Sequence, residues 1–249
     1  MEVIYIHWLR QVKRYLRSRW QVFSSIMQPI LYLLALGFGL GPTFQNAGKG
    51  NYIQFLTPGV VGMIILFSAV FSGIDLIFDR RFGFLRATLV APVSRLAIIA
   101  GRTLGGATVA LIQGGLVLIF CFAVGFRPVT LMSIPLALLF MMLTALLFAA
   151  LGTMVASLLT DFNGFQTFTN FLAMPLFFFS GALFPLAGVS KVLFFIARIN
   201  VFSYGVDGLR AVLIGGSQPF GVTVDLMVLS ILTLVLMVLG SYFFSKMQL

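Results

Sequence analysis

The chain has 249 residues, of which 60% are hydrophobic and only 9% charged, against roughly 45–50% and about 25% in soluble domains. Sixteen Lys and Arg face six Asp and Glu, and there are 28 Phe but a single glutamate, Glu2. So few charges do not clothe a globular surface of this size, and the apolar excess rules out disorder and collagen-like structure, which leaves an integral membrane protein.

Residues 1–21 read as an amphipathic helix lying in the membrane interface. Trp8, Val12, Leu16 and Trp20 recur at four-residue steps, while Arg10, Arg14 and Arg17 fall on the other side. Six stretches then approach the ~20 apolar residues needed to cross a bilayer: 22–41, 55–78, 103–125, 131–159, 165–185 and 222–245. The first is too long for the core of a cleavable leader and lacks a small-residue cleavage site, so no signal peptide is expected. With the N-terminus inside, eleven of the sixteen basic residues fall on the inner side and five on the outer. That bias places both termini in the cytoplasm of a multi-pass protein of the cell membrane, the inner membrane in a Gram-negative source. The predicted fold is thus all-α: one transmembrane domain spanning 1–249.

Between the second and third spans, residues 79–96 read as a cytoplasmic helix. Phe82, Leu85 and Leu89 recur along it, Arg80, Arg81 and Arg86 supply charge, Pro92 ends it, and Ser94 is placed to cap the next helix. This is either a solvated basic loop or a docking element for a cytoplasmic partner. Near the other end, Gly181 and Pro185 break an apolar run, so the fifth helix is expected to end near Pro185. The segment 186–216 is too long for a plain loop and is expected to dip back as short re-entrant helices.

Chemistry is sparse. No phosphate-binding G-x-x-x-x-G-K-[ST] run occurs, and the Gly-rich stretch 37–41 sits inside an apolar span. One cysteine (Cys121) and one histidine (His7) make no zinc site. No catalytic motif, internal repeat or basic-aromatic nucleic-acid platform is present, so nucleic acid is not expected as a partner. Gly101/Gly105 and Gly152/Ala156 have the spacing of close helix packing. Asp75 is the one ionisable side chain expected inside a span and is either a functional acid or, as favoured, a partner with Asp79 for Arg80 or Arg81. Asp207 and Arg210 are spaced to pair on an outer helix. Phe165, Phe168, Phe171, Phe177, Phe178 and Phe179 either line a path for an apolar substrate or pack against lipid.

Two motif regions together resemble the membrane subunits of type-2 ATP-binding-cassette exporters, the family of drug-resistance and nodulation-factor exporters. The first is Arg81-x-Gly83-x-Leu85-x-x-x-Leu89-x-Ala91-Pro92-Val93-Ser94-Arg95. The second is Ser180-Gly181-Ala182-Leu183-Phe184-Pro185, with Asn200, Tyr204, Asp207 and Arg210 further on. Arg86 stands where the family usually carries Glu, and Val201 replaces the proline usual after Asn200. The resemblance implies a permease without its own ATP site. ATP and Mg would be held by a separate cytoplasmic ATPase, docked on a coupling helix around Arg80, Arg81, Phe82, Gly83, Leu85, Arg86, Leu89 and Pro92. It also implies a homodimer or heterodimer of permease chains in the lipid bilayer, moving an amphipathic drug, lipid or lipid-linked glycan outward. The rival readings are an ion-coupled secondary transporter and a membrane assembly subunit.

Overall fold

The apolar runs of the sequence are helices in the computed structural model, which describes residues 2–46, 51–84, 94–159, 161–215 and 219–245. In chain order they are α1 (Glu2–Arg17), α2 (Arg19–Asn46), α3 (Tyr52–Phe71), α4 (Ile74–Arg81), α5 (Arg95–Ala123), a 3-10 turn (Leu131–Ser133), α6 (Ile134–Leu158), α7 (Phe162–Phe178), α8 (Lys191–Ile199), α9 (Val201–Leu213) and α10 (Val222–Ser245). No strand occurs among the described residues. The protein is therefore an all-helical, multi-pass membrane protein. Among the described residues, five helices are long and apolar enough to cross a bilayer: α2, α3 continued through α4, α5, α6 and α10. The pair α8–α9, bent by 95°, makes a sixth if it is one broken span.

Several boundaries differ from the sequence expectation, each for a local reason. Helix α2 runs on to Asn46 with Pro29 and Pro42 inside it, since a membrane helix finds other partners for the hydrogen bond that proline deletes. Helix α5 begins at Arg95, where the Ser94 hydroxyl accepts from the Ala97 amide at 3.3 Å. This draws Arg102 out of the expected loop and into a helix. Helix α7 ends at Phe178 and not near Pro185. Ser180 turns the chain there, its hydroxyl donating to the Phe177 carbonyl at 2.7 Å, and Gly181 adopts a left-handed φ of 78°. Pro185 lies in the irregular segment beyond. With 17 residues, α7 rises about 26 Å, short of the ~30 Å hydrocarbon core.

Helix α3 is the axis of the bundle, packed by α2, α5, α6 and α9. Two-thirds (67%) of its most apolar stretch is buried, against 17% for α2 and for α10, which lie at the periphery. The main core gathers Leu56, Val60 and Ile65 of α3 with Phe140 and Phe148 of α6 and Phe202 of α9. A smaller core at the arginine-bearing end joins Leu76 and Ile77 of α4 to Ile98, Phe165 and Phe244.

Both small-residue pairs mark close approaches. A methyl on Gly101 would meet the Ile4 carbonyl at 2.8 Å, and one on Gly105 would collide with Gln11, so α1 lies directly on α5. The break between α3 and α4 crosses α6 backbone to backbone: a methyl on Gly73 would run into the Gly152 carbonyl, and one on Gly152 into that of Val70. Overpacking at such a crossing costs about 1–3 kcal/mol. Gly152→Leu should lower the thermal midpoint of the purified protein by roughly 3–10 °C, whereas Gly39→Ala, whose added methyl meets nothing within 4 Å, should not lower it.

Candidate functional site

Two acids on one face of α4 organise the arginine-bearing end. Asp75 and Asp79 are four residues apart and so point the same way. Asp79 is 4% exposed and bridges Arg10 of α1 and Arg102 of α5, itself 4% exposed. Asp75 pairs with Arg14 of α1 at 2.8 Å. The expected pairing with Arg80 or Arg81 is thus corrected: among the described residues the salt bridges of Asp75 and Asp79 run to Arg14 and to Arg10 and Arg102. Arg80 and Arg81 follow Asp79 by one and two positions, a displacement that turns a helical side chain away from its neighbour.

On the expected apolar face of α1, Leu16 and, beyond the helix, Trp20 are exposed, while Trp8 and Val12 are half-buried. A different face, His7, Gln11 and Tyr15, lies inward, and the Trp8 indole donates to Thr108 of α5 at 2.9 Å. Burial, then the Arg102 and Arg10 charges, hold the His7 pKa below its usual 6.5, with Asp79 opposing.

Of the expected coupling residues, Arg80 and Arg81 lie in the last turn of α4 and not on a helix that starts at 79. Phe82 and Phe84 are 68% and 60% exposed, and Gly83 takes a left-handed φ of 79° between them. Leu85, Arg86, Leu89 and Pro92 lie outside the described residues. Phe78 stacks on Phe82 at 6.2 Å and meets Phe162, the first residue of α7, at 5.5 Å. The end of α4 therefore touches the start of α7.

The second motif folds into one cluster around the end of α7. The Asn200 side chain, at the bend, donates to the Leu176 carbonyl at 2.7 Å and accepts from the Phe202 amide at 3.0 Å, capping α9. Tyr204 donates to the Arg198 carbonyl at 2.7 Å. Arg210 donates to the Gly181 carbonyl at 3.0 Å and lies 4.0 Å over the Phe55 ring. Asp207 does not form the expected salt bridge with Arg210; it accepts from the Phe220 amide at 3.2 Å. These roles are structural ties between α3, the turn after α7 and α9. Asp75 is also not alone as an embedded charge. Asp79, Arg102 and Asp207 are buried within the bundle, and Asp225 of α10 is 0% exposed with neither oxygen hydrogen-bonded.

Sequence reasoning missed a cavity of about 540 Å³ next to the Arg14–Asp75 pair. Helix α2 contributes Gln21, Ser24, Ser25 and Gln28, spaced to share one helical face. Ser68 and Ser72 line it from α3 and its end, Gln113 from α5 and Asn170 from α7. Two roles are open to the α7 phenylalanines, a substrate path or packing against lipid; none of them lines this cavity, whose α7 side is Asn170 and Met174. Phe165 and Phe177 belong to the cores, and Phe168, Phe171, Phe178 and Phe179 are exposed.

The pattern of ABC-2 type transporters matches residues 2–214, which leaves out only α10 and the few residues flanking it. The chain belongs to the ABC-2 type transporter family. It is a permease component of a transport system, and such permeases normally work with an ATPase partner. It is 29% identical over 196 residues to nodulation protein J of Rhizobium leguminosarum bv. trifolii, covering 78% of this chain and 74% of that one. It is 29% identical over 192 residues to the putative transport permease ycf38 of Cyanophora paradoxa, covering 76% of this chain and 66% of that one. The inner membrane transport permease YadH of Escherichia coli is 25% identical over 205 residues, covering 82% and 79%.

The ionic cluster yields two tests by thermal denaturation in detergent. Asp79→Ala strands the buried Arg102 without its counter-charge and should cost about 3–5 kcal/mol, while joint replacement of Asp79 and Arg102 by Leu should restore part of that loss. His7 favours its neutral form when folded, so protons bind the unfolded chain more readily. Its contribution is then steady above pH 6.5, the ordinary histidine value, and is lost as pH falls below it. His7→Gln should flatten that part of the stability–pH profile.

Proposed function

We propose that this permease is the membrane-spanning half of an ATP-driven exporter, working with a cytoplasmic ATPase that holds ATP and Mg and with a second, identical or related, permease chain. Membership of the transporter family carries this reading. Two further features support it. Phe82 and Phe84 stand exposed on either side of Gly83 beside the arginines that end α4, which suits an apolar docking face rimmed with charge. Phe171 of α7 is 79% exposed, which suits a helix partner from a second permease.

In this reading both termini and the end of α4 lie in the cytoplasm. Closure of the ATPase pushes on the α4 end. Phe78 passes the displacement to Phe162 and thus to α7, while Asp79 and Asp75 pass it to α5 and α1. Helices α2, α3 and α7 bound the cavity and shift with it, and an amphiphile held there leaves outward.

The deciding experiment is purification of the complex from native membranes in a mild detergent, followed by ATP hydrolysis. Phe82→Asp with Phe84→Asp should leave the chain in the membrane but cut ATPase recovery about a hundredfold, as loss of two buried rings predicts. Undiminished ATPase recovery with that variant counts against the docking face; absence of any ATPase from the unaltered complex counts against the exporter.

A further inference from the structure

Helix α2 has two unlike faces. Its amides and hydroxyls line the cavity described above, and the opposite side is apolar. A groove of about 460 Å³ runs along that apolar side, walled by Val22, Phe23, Ile26 and Ile30 of α2 and by Leu16 of α1. At one end of it stands a single charge, Arg19, the first residue of α2. The steps from Arg19 to Ile30 rise about 16 Å, close to half of the ~30 Å hydrocarbon core. The groove thus has the length of one leaflet's acyl chain, with a cation where the headgroup would lie. Trp20, 84% exposed beside Arg19, marks the same depth, since an exposed indole settles at the membrane–water interface.

The charge around Arg19 has one sign. Arg10 and Arg14 are committed to Asp79 and Asp75. Lys13 and Arg17 flank Leu16 near the end of α1 and are exposed, as is Arg19. None of these three forms a salt bridge among the described residues. Between Glu2 and Asp75 the chain has no acid at all. Uncompensated cations at the mouth of a lipid-facing groove attract an anionic headgroup, and the apolar wall retains its chain. A second copy seated here by two-fold symmetry would set the same three cations against each other at one depth.

We propose that the α1–α2 junction binds one anionic phospholipid, its phosphate held by Arg19, Arg17 and Lys13 and one acyl chain laid along Val22, Ile26 and Ile30. The bound lipid anchors the helix whose Arg10 and Arg14 hold α4. The site is independent of the exporter reading and requires only that α2 cross the bilayer.

The test uses the full chain carrying Trp8→Phe, which leaves Trp20 as its one tryptophan, in phosphatidylcholine nanodiscs. Phosphatidylglycerol or phosphatidylcholine brominated near the glycerol is titrated in, and quenching of Trp20 reports binding. Brominated phosphatidylglycerol should quench saturably and bind at least tenfold more tightly than brominated phosphatidylcholine. Arg19→Gln should weaken it about fivefold, the value of one basic residue at an anionic surface. Joint replacement of Lys13, Arg17 and Arg19 by Gln should weaken it about a hundredfold. All three side chains are exposed, so these variants keep their fold. Ile26→Phe narrows the groove with every charge in place and should also weaken binding about fivefold. Arg127→Gln, beyond the far end of α5, should leave it unchanged.

Equal affinity for the two lipids overturns the proposal, as does an undiminished preference in the triple variant. Undiminished binding in Ile26→Phe reduces the site to a diffuse basic surface and overturns it as well. Displacement of the brominated lipid by an equal amount of glycerol 3-phosphate assigns the cations to a free phosphate, against the proposal. Complete disulfide bonding between Phe23→Cys copies gives the groove to a second permease and likewise removes the lipid.

Discussion

Asp79 imposes the arrangement at one end of this protein. A carboxylate taken out of water is tolerable only with opposite charge placed against it, and here that charge comes from two distant stretches of chain, Arg10 on α1 and Arg102 on α5. The buried acid therefore fixes where an N-terminal helix lies, how far α5 extends beyond its apolar run, and which way α4 faces. Arg14 and Asp75 repeat the device one turn away with less burial. The close approaches at Gly101 and Gly105 are what let α1 come near enough for these side chains to meet.

Much of the architecture is legible in the sequence because a bilayer demands long apolar helices and leaves few alternatives. Five of the six runs and the bent pair before α10 follow from hydrophobicity and length, while the run at 165–185 shortens to the 17-residue α7. Helix ends are less legible. Pro29, Pro42, Pro58 and Pro175 all sit inside helices, so proline is poor punctuation here, and the chain turns at Ser180–Gly181 for reasons of local hydrogen bonding. Ser94 does act as the expected cap.

The site is legible in part. Residues of the second motif, Gly181, Asn200 and Arg210, do assemble around the end of α7, but as ties between segments and not through the Asp207–Arg210 pair that spacing suggests. Partner choice among charges is tertiary: nothing in the spacing of Asp75 and Asp79 says that Arg10, Arg14 and Arg102 are nearer than Arg80 and Arg81. The cavity did leave a trace. Gln21, Ser24, Ser25 and Gln28 recur at helical intervals within an otherwise apolar span, and a periodic polar stripe in a membrane helix is itself a sign of a face turned from lipid. The matching walls from α5 and α7 offer one amide each, Gln113 and Asn170, too little for any pattern to be seen.

Where α3 gives way to α4, main chain meets main chain on α6, with Gly73 and Gly152 facing each other. Side chains at a helix contact can change rotamer and allow one helix to creep past another; bare backbone has no such play. Motion of α4 relative to α6 is consequently a tilt about a fixed fulcrum. With eight residues beyond that point, about 12 Å of lever, a tilt of ten degrees carries the arginine-bearing tip roughly 2 Å, and the four residues from Asp75 to Asp79 set how differently α1 and α5 feel it.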